Sequence, residues 1–252
     1  MANTEKSQPR IVLYGAPPSF GLPCLSPYVM KSWVQLKMMG LDFTVDDHSI
    51  VAMMAEGKLR KGRMPVIMDG DTLVEDSHFI RLYLEKKYGK DLDEGLSDLQ
   101  KATAWSAERT AEDSLHYAIN YQLWFVDKNF EIGAAHFFDA LPVEIRDSVL
   151  QAQRKKQLDH LYAQGISRHS PDEILDIVQR GYSALSQLLG HKDFLLGDRP
   201  YGSDASIFGQ LATAMCEHFN TPLRHAILSH PNLVRYHDRM MRMFFPDFAK
   251  SA

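Results

Sequence analysis

Short strand-like runs fill the chain before residue 90 and are absent after it, and this asymmetry constrains the fold more than any other feature. "RIVLYG" (10–15) is an apolar run closed by glycine, which reads as a buried strand. The Pro- and Gly-rich "APPSFGLPCL" leads to Ser26 and Pro27, a serine N-cap with proline at the first helical position. The spacing predicts a helix to Gly40, a C′ stop, and then a second strand, "LDFTV" (41–45). The polar stretch 46–62 reads as a loop. "MPVIM" (64–68) and "TLVE" (72–75) flank "DGD", a hairpin signal. "DSHFIRLYLEKKYG" is an amphipathic helix with Phe79, Ile80, Tyr83 and Leu84 on one side. The order is β-α-β, a loop, then β-β-α.

Beyond it, "KDLDEGLSD" marks a polar linker over 90–97. Helical spacing predicts helices at about 98–126, 143–164, 170–189, 203–219 and 231–243. The third is the clearest: Ser170, Pro171 and Glu173 form a capping box, and Gly190 closes the helix. The expected fold class is α/β plus all-α. A thioredoxin-like α/β domain over 1–89 is followed by a larger all-helical domain over 98–252, which the length of 252 residues accommodates.

With 45% hydrophobic and 24% charged residues, the chain has the composition of a folded globular protein. A net charge of −4 gives no reason to expect nucleic acid or an acidic membrane surface as partner. Cys24 and Cys216, the only two cysteines, make no disulfide framework and suit a reducing compartment. "MANTEKSQPR" lacks the apolar core of a signal peptide. No apolar run approaches the ~20 residues of a membrane span, and "MMRMFFPDFAKSA" is too short and too charged for an anchor. A cytoplasmic location without membrane partners is the expectation. The eleven histidines form no H-x-E or H-x-x-x-H cluster, so no metal site is expected.

"LPCLSPYVMKSW" (22–33) holds Ser26 and Val29 where a dithiol redox helix carries the cysteines of C-P-Y-C. A dithiol mechanism needs a second cysteine to resolve the mixed disulfide, and Val29 cannot do so. Cys24, two residues before Ser26, leaves a monothiol route open. Ser26 reads either as a plain N-cap or as a hydroxyl placed beside a helix dipole for chemistry.

"SPYVMK", "FFDALP", "GISRHSPDEI" and "FLLGDRPYGSDASIFGQL" together resemble the glutathione S-transferase superfamily over nearly the whole chain. Within it they look like the branch of the failed-axon-connections and metaxin-like proteins and their bacterial relatives. The resemblance implies glutathione as co-substrate and a homodimer. It makes Ser26 the catalytic candidate: its hydroxyl, at a helix N-terminus, would favour the thiolate of a thiol whose free pKa is roughly 8.5. Met64 and Pro65 correspond to the residues before the third strand, where a cis proline frees the preceding backbone to pair with the cysteinyl part of glutathione. Asp76 and Ser77 stand where the superfamily usually carries Glu-Ser or Gln-Ser to hold the γ-glutamyl group, although an aspartate there is equally a good N-cap.

Tyr117, Tyr121 and Trp124 fall at i, i+4 and i+7 on one predicted helical face. With Tyr28 they are the candidates for an acceptor pocket, aromatic walls with polar tips suiting an apolar electrophile, or else they are core. His116 reads as a surface or packing histidine, and Cys216 as buried packing. Asp204 looks like the N3 acid of the superfamily's buried capping box, left incomplete by Tyr201. The 127–169 insertion exceeds a minimal transferase. The reaction implied is attack of an activated glutathione thiolate on a small apolar electrophile. The alternatives are a glutathione- or ligand-binding protein without turnover, and a monothiol oxidoreductase using Cys24.

Overall fold

A computed structural model describes residues 10–139 and 141–250. Residues 1–9 of the expected first domain, Ala140 of "FFDALP" and residues 251–252 lie outside the described residues. β1 (Ile11–Tyr14) pairs in parallel with β2 (Phe43–Asp46) and antiparallel with β3 (Val66–Asp69), which continues to β4 (Thr72–Glu75). The strand order β2-β1-β3-β4 is the thioredoxin-like arrangement. Asp69 faces Thr72 across the hairpin, and Gly70 takes a φ of +61° that a side chain would resist. The core face of β1 is carried by Ile11 and Leu13, both buried.

α1 (Pro27–Met38) makes the crossover from β1 to β2, and α3 (Ser77–Tyr88) follows β4. Both begin at predicted caps, Ser26 and Asp76, and α3 stops at Gly89 in the left-handed conformation. The stretch 46–62 differs from the loop expected there. It holds a short helix, α2 (Ile50–Ala55), because Ile50, Met53 and Met54 at helical spacing pack beside Leu59 and Val66 in a small satellite core.

The rest is helical. α4 (Asp98–Arg109) and α5 (His116–Asn120) belong to one rod that also contains wider π-helical turns at Thr110–Leu115 and Tyr121–Phe125, where the sequence suggests one regular helix. α6 (Asp127–Ile132) and α7 (Val143–Gln164) occupy most of the insertion, and α8 (Pro171–Leu189) starts at the predicted Ser170–Glu173 box. α9 (Gly202–Ala214) is buried along its whole length. The expected helix 203–219 stops there, and Thr221 caps a separate α10 (Pro222–Leu228) before α11 (Pro231–Phe244). Among the described residues no helix is long and apolar enough to cross a membrane.

α9 is the axis that holds the two domains together. A side chain at Gly209 would run into the Pro27 carbonyl, so only glycine permits this approach to the first turn of α1. Thr213 Oγ1 donates to the Leu25 carbonyl at 3.0 Å. A buried charge cluster crosses the same boundary: Lys31 Nζ lies 2.6 Å from Glu108 Oε1 and 2.7 Å from Glu112 Oε1. Arg109 and Ser206 complete it on Glu112. Asp204 accepts from the Tyr201 and Leu195 amides and from the Tyr236 hydroxyl. Wholly buried, it is pushed up to about 6 by loss of solvent.

Candidate active site

Topology brings the candidate residues to one end of the sheet. β1 runs toward Tyr14, and α1, which must return antiparallel to it, starts at that end with Ser26. β3 is antiparallel to β1, so it begins there with Pro65, next in line to Val66, the partner of Tyr14. β4 comes back to the same end and delivers Asp76 and Ser77 to the start of α3. A side chain at Gly15 would meet Val29 Cγ1 at 2.7 Å, which fixes how closely the strand end approaches α1.

Ser26 is both an N-cap and a free donor. Its Oγ accepts from the Val29 amide at 3.4 Å, which uses a lone pair. Its own hydrogen has no acceptor among the described residues. The positive N-terminal end of the α1 dipole stabilises a negative charge held beside it. The Met64–Pro65 bond is cis. The Asp76 amide donates to the Pro65 carbonyl at 3.3 Å, tying the second and third candidate segments together. Asp76 has a φ of +84°, outside the range comfortable for a residue with a side chain, and its carboxylate accepts from the His78 amide at 2.9 Å. Glu75, its neighbour, is committed elsewhere, holding the Arg60 and Lys61 amides at 2.9 and 2.7 Å. Ser77 is buried.

Cys24 is unsuited to nucleophilic work. It is wholly buried, and burial pushes its thiol up to about 11 although the Ser26 and Ala16 amides oppose the shift. Cys216 is buried too, its thiol donating to the Phe20 carbonyl.

The four aromatic candidates separate into two groups. Tyr28 and Tyr117 flank the His116 ring, with centroids at 4.7 and 5.6 Å. Tyr121 and Trp124 are buried elsewhere, Tyr121 stacked on Phe125 at 4.6 Å and Trp124 against Phe130 and Phe137. The wider turn of Tyr121–Phe125 rotates Trp124 off the face that regular i, i+7 spacing predicts. Burial, and next the Glu112 charge, hold the Tyr28 hydroxyl protonated well above its ordinary range.

Sequence reasoning missed Arg63 and His160, and the hydrogen-bond partners of His116. Of the two readings of His116, packing is the one observed, and both ring nitrogens are hydrogen-bonded: Gln210 Oε1 lies 3.2 Å from Nδ1 and Asn120 Nδ2 lies 2.9 Å from Nε2. Asn120 Nδ2 can only donate, so Nε2 accepts and Nδ1 carries the hydrogen. Burial lowers His116 to about 4, so the ring is neutral. The Tyr117 ring also meets His160 of α7 at 5.9 Å, and His160 Nδ1 lies 2.7 Å from Arg63 Nη2, just before Met64. Only the three-dimensional return of α7 links 63 to 160; no local pattern announces it.

Comparison with known proteins agrees with this fold. Residues 27–130 match the Glutathione S-transferase N-terminal domain and residues 178–240 the Glutathione S-transferase, C-terminal domain. The chain is 30% identical to an isoprene-epoxide–glutathione S-transferase of Rhodococcus sp. (strain AD45), over 93% of this chain and 99% of that one. It is 29% identical to Failed axon connections of Drosophila melanogaster over 90% of its own length, but spans only 56% of that relative. Human Metaxin-2 is 25% identical over 78% of this chain and 75% of its own. In fold, a beta-etherase of Sphingobium sp. strain SYK-6 superposes with a TM-score of 0.65 at 16% identity, covering 95% of this chain and 98% of the other. The chain belongs to the glutathione S-transferase family, with relatives that include Failed axon connections and the metaxins.

Proposed function

We propose that this protein is a cytoplasmic glutathione transferase in which Ser26 donates to the glutathione sulfur and the thiolate attacks a small apolar electrophile. The observation that carries the reading is the convergence of Ser26, cis-Pro65 and the Asp76–Ser77 helix start at one end of the sheet. The Met64 backbone pairs with the cysteinyl part, Ser77 and the α3 N-terminus take the γ-glutamyl carboxylate, and Asp76 takes its ammonium. Tyr28 and Tyr117 wall the electrophile side. The likeness to an isoprene-epoxide transferase favours an epoxide as electrophile. The burial and raised pKa of Cys24 speak against monothiol chemistry.

The protein acts as a homodimer in this reading. Phe79, Leu82 and Trp105 are about half exposed, at 53%, 46% and 49%, and the rings of Phe79 and Trp105 both touch His78. Such an apolar patch suits a partner surface.

A second reading, glutathione binding without turnover, is favoured by the likeness to Failed axon connections and Metaxin-2, whose names carry no transferase activity. Calorimetry with glutathione followed by conjugation assays with isoprene epoxide separates the two. Binding with conjugation supports the transferase; binding alone supports the carrier; no binding at millimolar glutathione sinks both.

A further inference from the structure

Arg63 and His160 form a contact between the two domains beside the cradle just described. Arg63 precedes Met64 and cis-Pro65, on the side of the cradle that takes the cysteinyl part. His160 comes from α7, inside the 127–169 insertion, and its ring stands 5.9 Å from that of Tyr117, a wall of the electrophile side. A guanidinium has no acceptor, so at 2.7 Å Arg63 Nη2 donates and His160 Nδ1 accepts. Burial first, and then the charges of Arg63 and Lys156, depress the pKa of His160 and keep the ring neutral. Its one hydrogen is therefore on Nε2, which has no partner among the described residues. Arg63 thus acts as a tautomer lock, fixing a half-buried N–H donor beside the electrophile wall.

We infer that His160 Nε2–H is the catalytic donor to the oxygen of an oxirane electrophile, with Arg63 as the positioning residue that keeps the hydrogen on that nitrogen. The inference rests on the transferase reading and specifies its second substrate. Ring opening forms a bond between the glutathione sulfur and one ring carbon while the carbon–oxygen bond breaks. The electron pair passes to oxygen as an alkoxide, the charge that the N–H stabilises. The alkoxide then takes a proton from water, which balances the proton released to solvent when the thiol ionised. A neutral imidazole need not give up its hydrogen.

The test uses the full chain with glutathione and isoprene epoxide. His160→Phe keeps a ring against Tyr117 but removes the donor; His160→Gln restores an N–H near the same place. A hydrogen bond to a charged oxygen corresponds to roughly 10- to 100-fold in rate. His160→Phe should lose that much kcat, His160→Gln should regain most of it, and glutathione affinity and the ultraviolet titration of the bound thiolate should stay at wild-type values. Arg63→Leu, at an exposed side chain, should lower kcat severalfold with the thiolate titration unmoved. Wild-type kcat in His160→Phe, equal losses in the Phe and Gln variants, or a shifted thiolate titration would each overturn the inference. Glutathione binding without epoxide consumption by the wild type overturns it while sparing the cradle; absence of glutathione binding overturns both.

Discussion

Lys31 Nζ lies 2.7 Å from Glu112 Oε1, joining α1 of the first domain to the long helical rod of the second with both side chains buried. Burial works against the Glu112 charge, but Lys31 above all, with Ser206 and Arg109, holds its carboxyl below the ordinary range. The Tyr28 hydroxyl reaches the Glu112 carbonyl at 3.5 Å, so the same residue braces the start of α1, where Ser26 sits.

Breaking this pair from one side leaves uncompensated carboxylates in the interior. Lys31→Met should cost about 3–5 kcal/mol in denaturant unfolding. Adding Glu108→Gln and Glu112→Gln should recover most of it, since no carboxylate is then left uncompensated in the interior and the partly exposed Arg109 keeps Asp113 as a partner.

His116 makes stability depend on acid. Its pKa in the fold is about 4 against an ordinary 6.5, so the unfolded chain takes the proton first as pH falls. Its contribution is complete above 6.5 and is lost as pH falls toward and through 4, about 3 kcal/mol in all. Asp204, raised to about 6 from 3.8, works in the opposite sense, favouring the fold as pH drops through that window. Comparison with His116→Gln isolates the histidine: the variant should show a shallower loss of stability between pH 6.5 and 4.

Ser77 is the anchor assigned to the γ-glutamyl carboxylate. Ser77→Ala removes one donor to a charged group and should weaken glutathione about tenfold in calorimetry, with little change in unfolding.

The apolar face of α3 and α4 is assigned to self-association. Sedimentation at micromolar concentration should show a dimer, and Phe79→Glu should shift it to monomer, because an aromatic anchor at an interface is typically worth about 2 kcal/mol or more.

The element order of the first domain, the caps at Ser26 and Asp76, the hairpin at Gly70 and the capping box of α8 were legible because each depends on a few neighbouring residues. That Ser26, Pro65 and the Asp76–Ser77 helix start meet at one end of the sheet was legible for the same reason, being three element starts in a fixed order. What escaped depends on distant packing. α2 hides in a polar stretch because only Ile50 among its residues is buried. The π-helical turns leave no periodic trace, so Tyr121 and Trp124 read as companions of Tyr117 when they are core. His116 gains its partners from α5 and α9, and His160 meets Arg63 across nearly a hundred residues.

The central claim is that Ser26 activates a bound thiol while also capping α1. The most direct measurement is the pH titration of glutathione thiolate absorbance in complexes with the wild type and with Ser26→Ala. A hydrogen bond to a charged sulfur is worth roughly 1.5–3 kcal/mol, so the variant should titrate about one to two pH units higher. Its affinity for glutathione should change little, and it should lose about 1 kcal/mol of stability from the missing cap. An identical titration in the two proteins would contradict the claim and leave Ser26 only an N-cap.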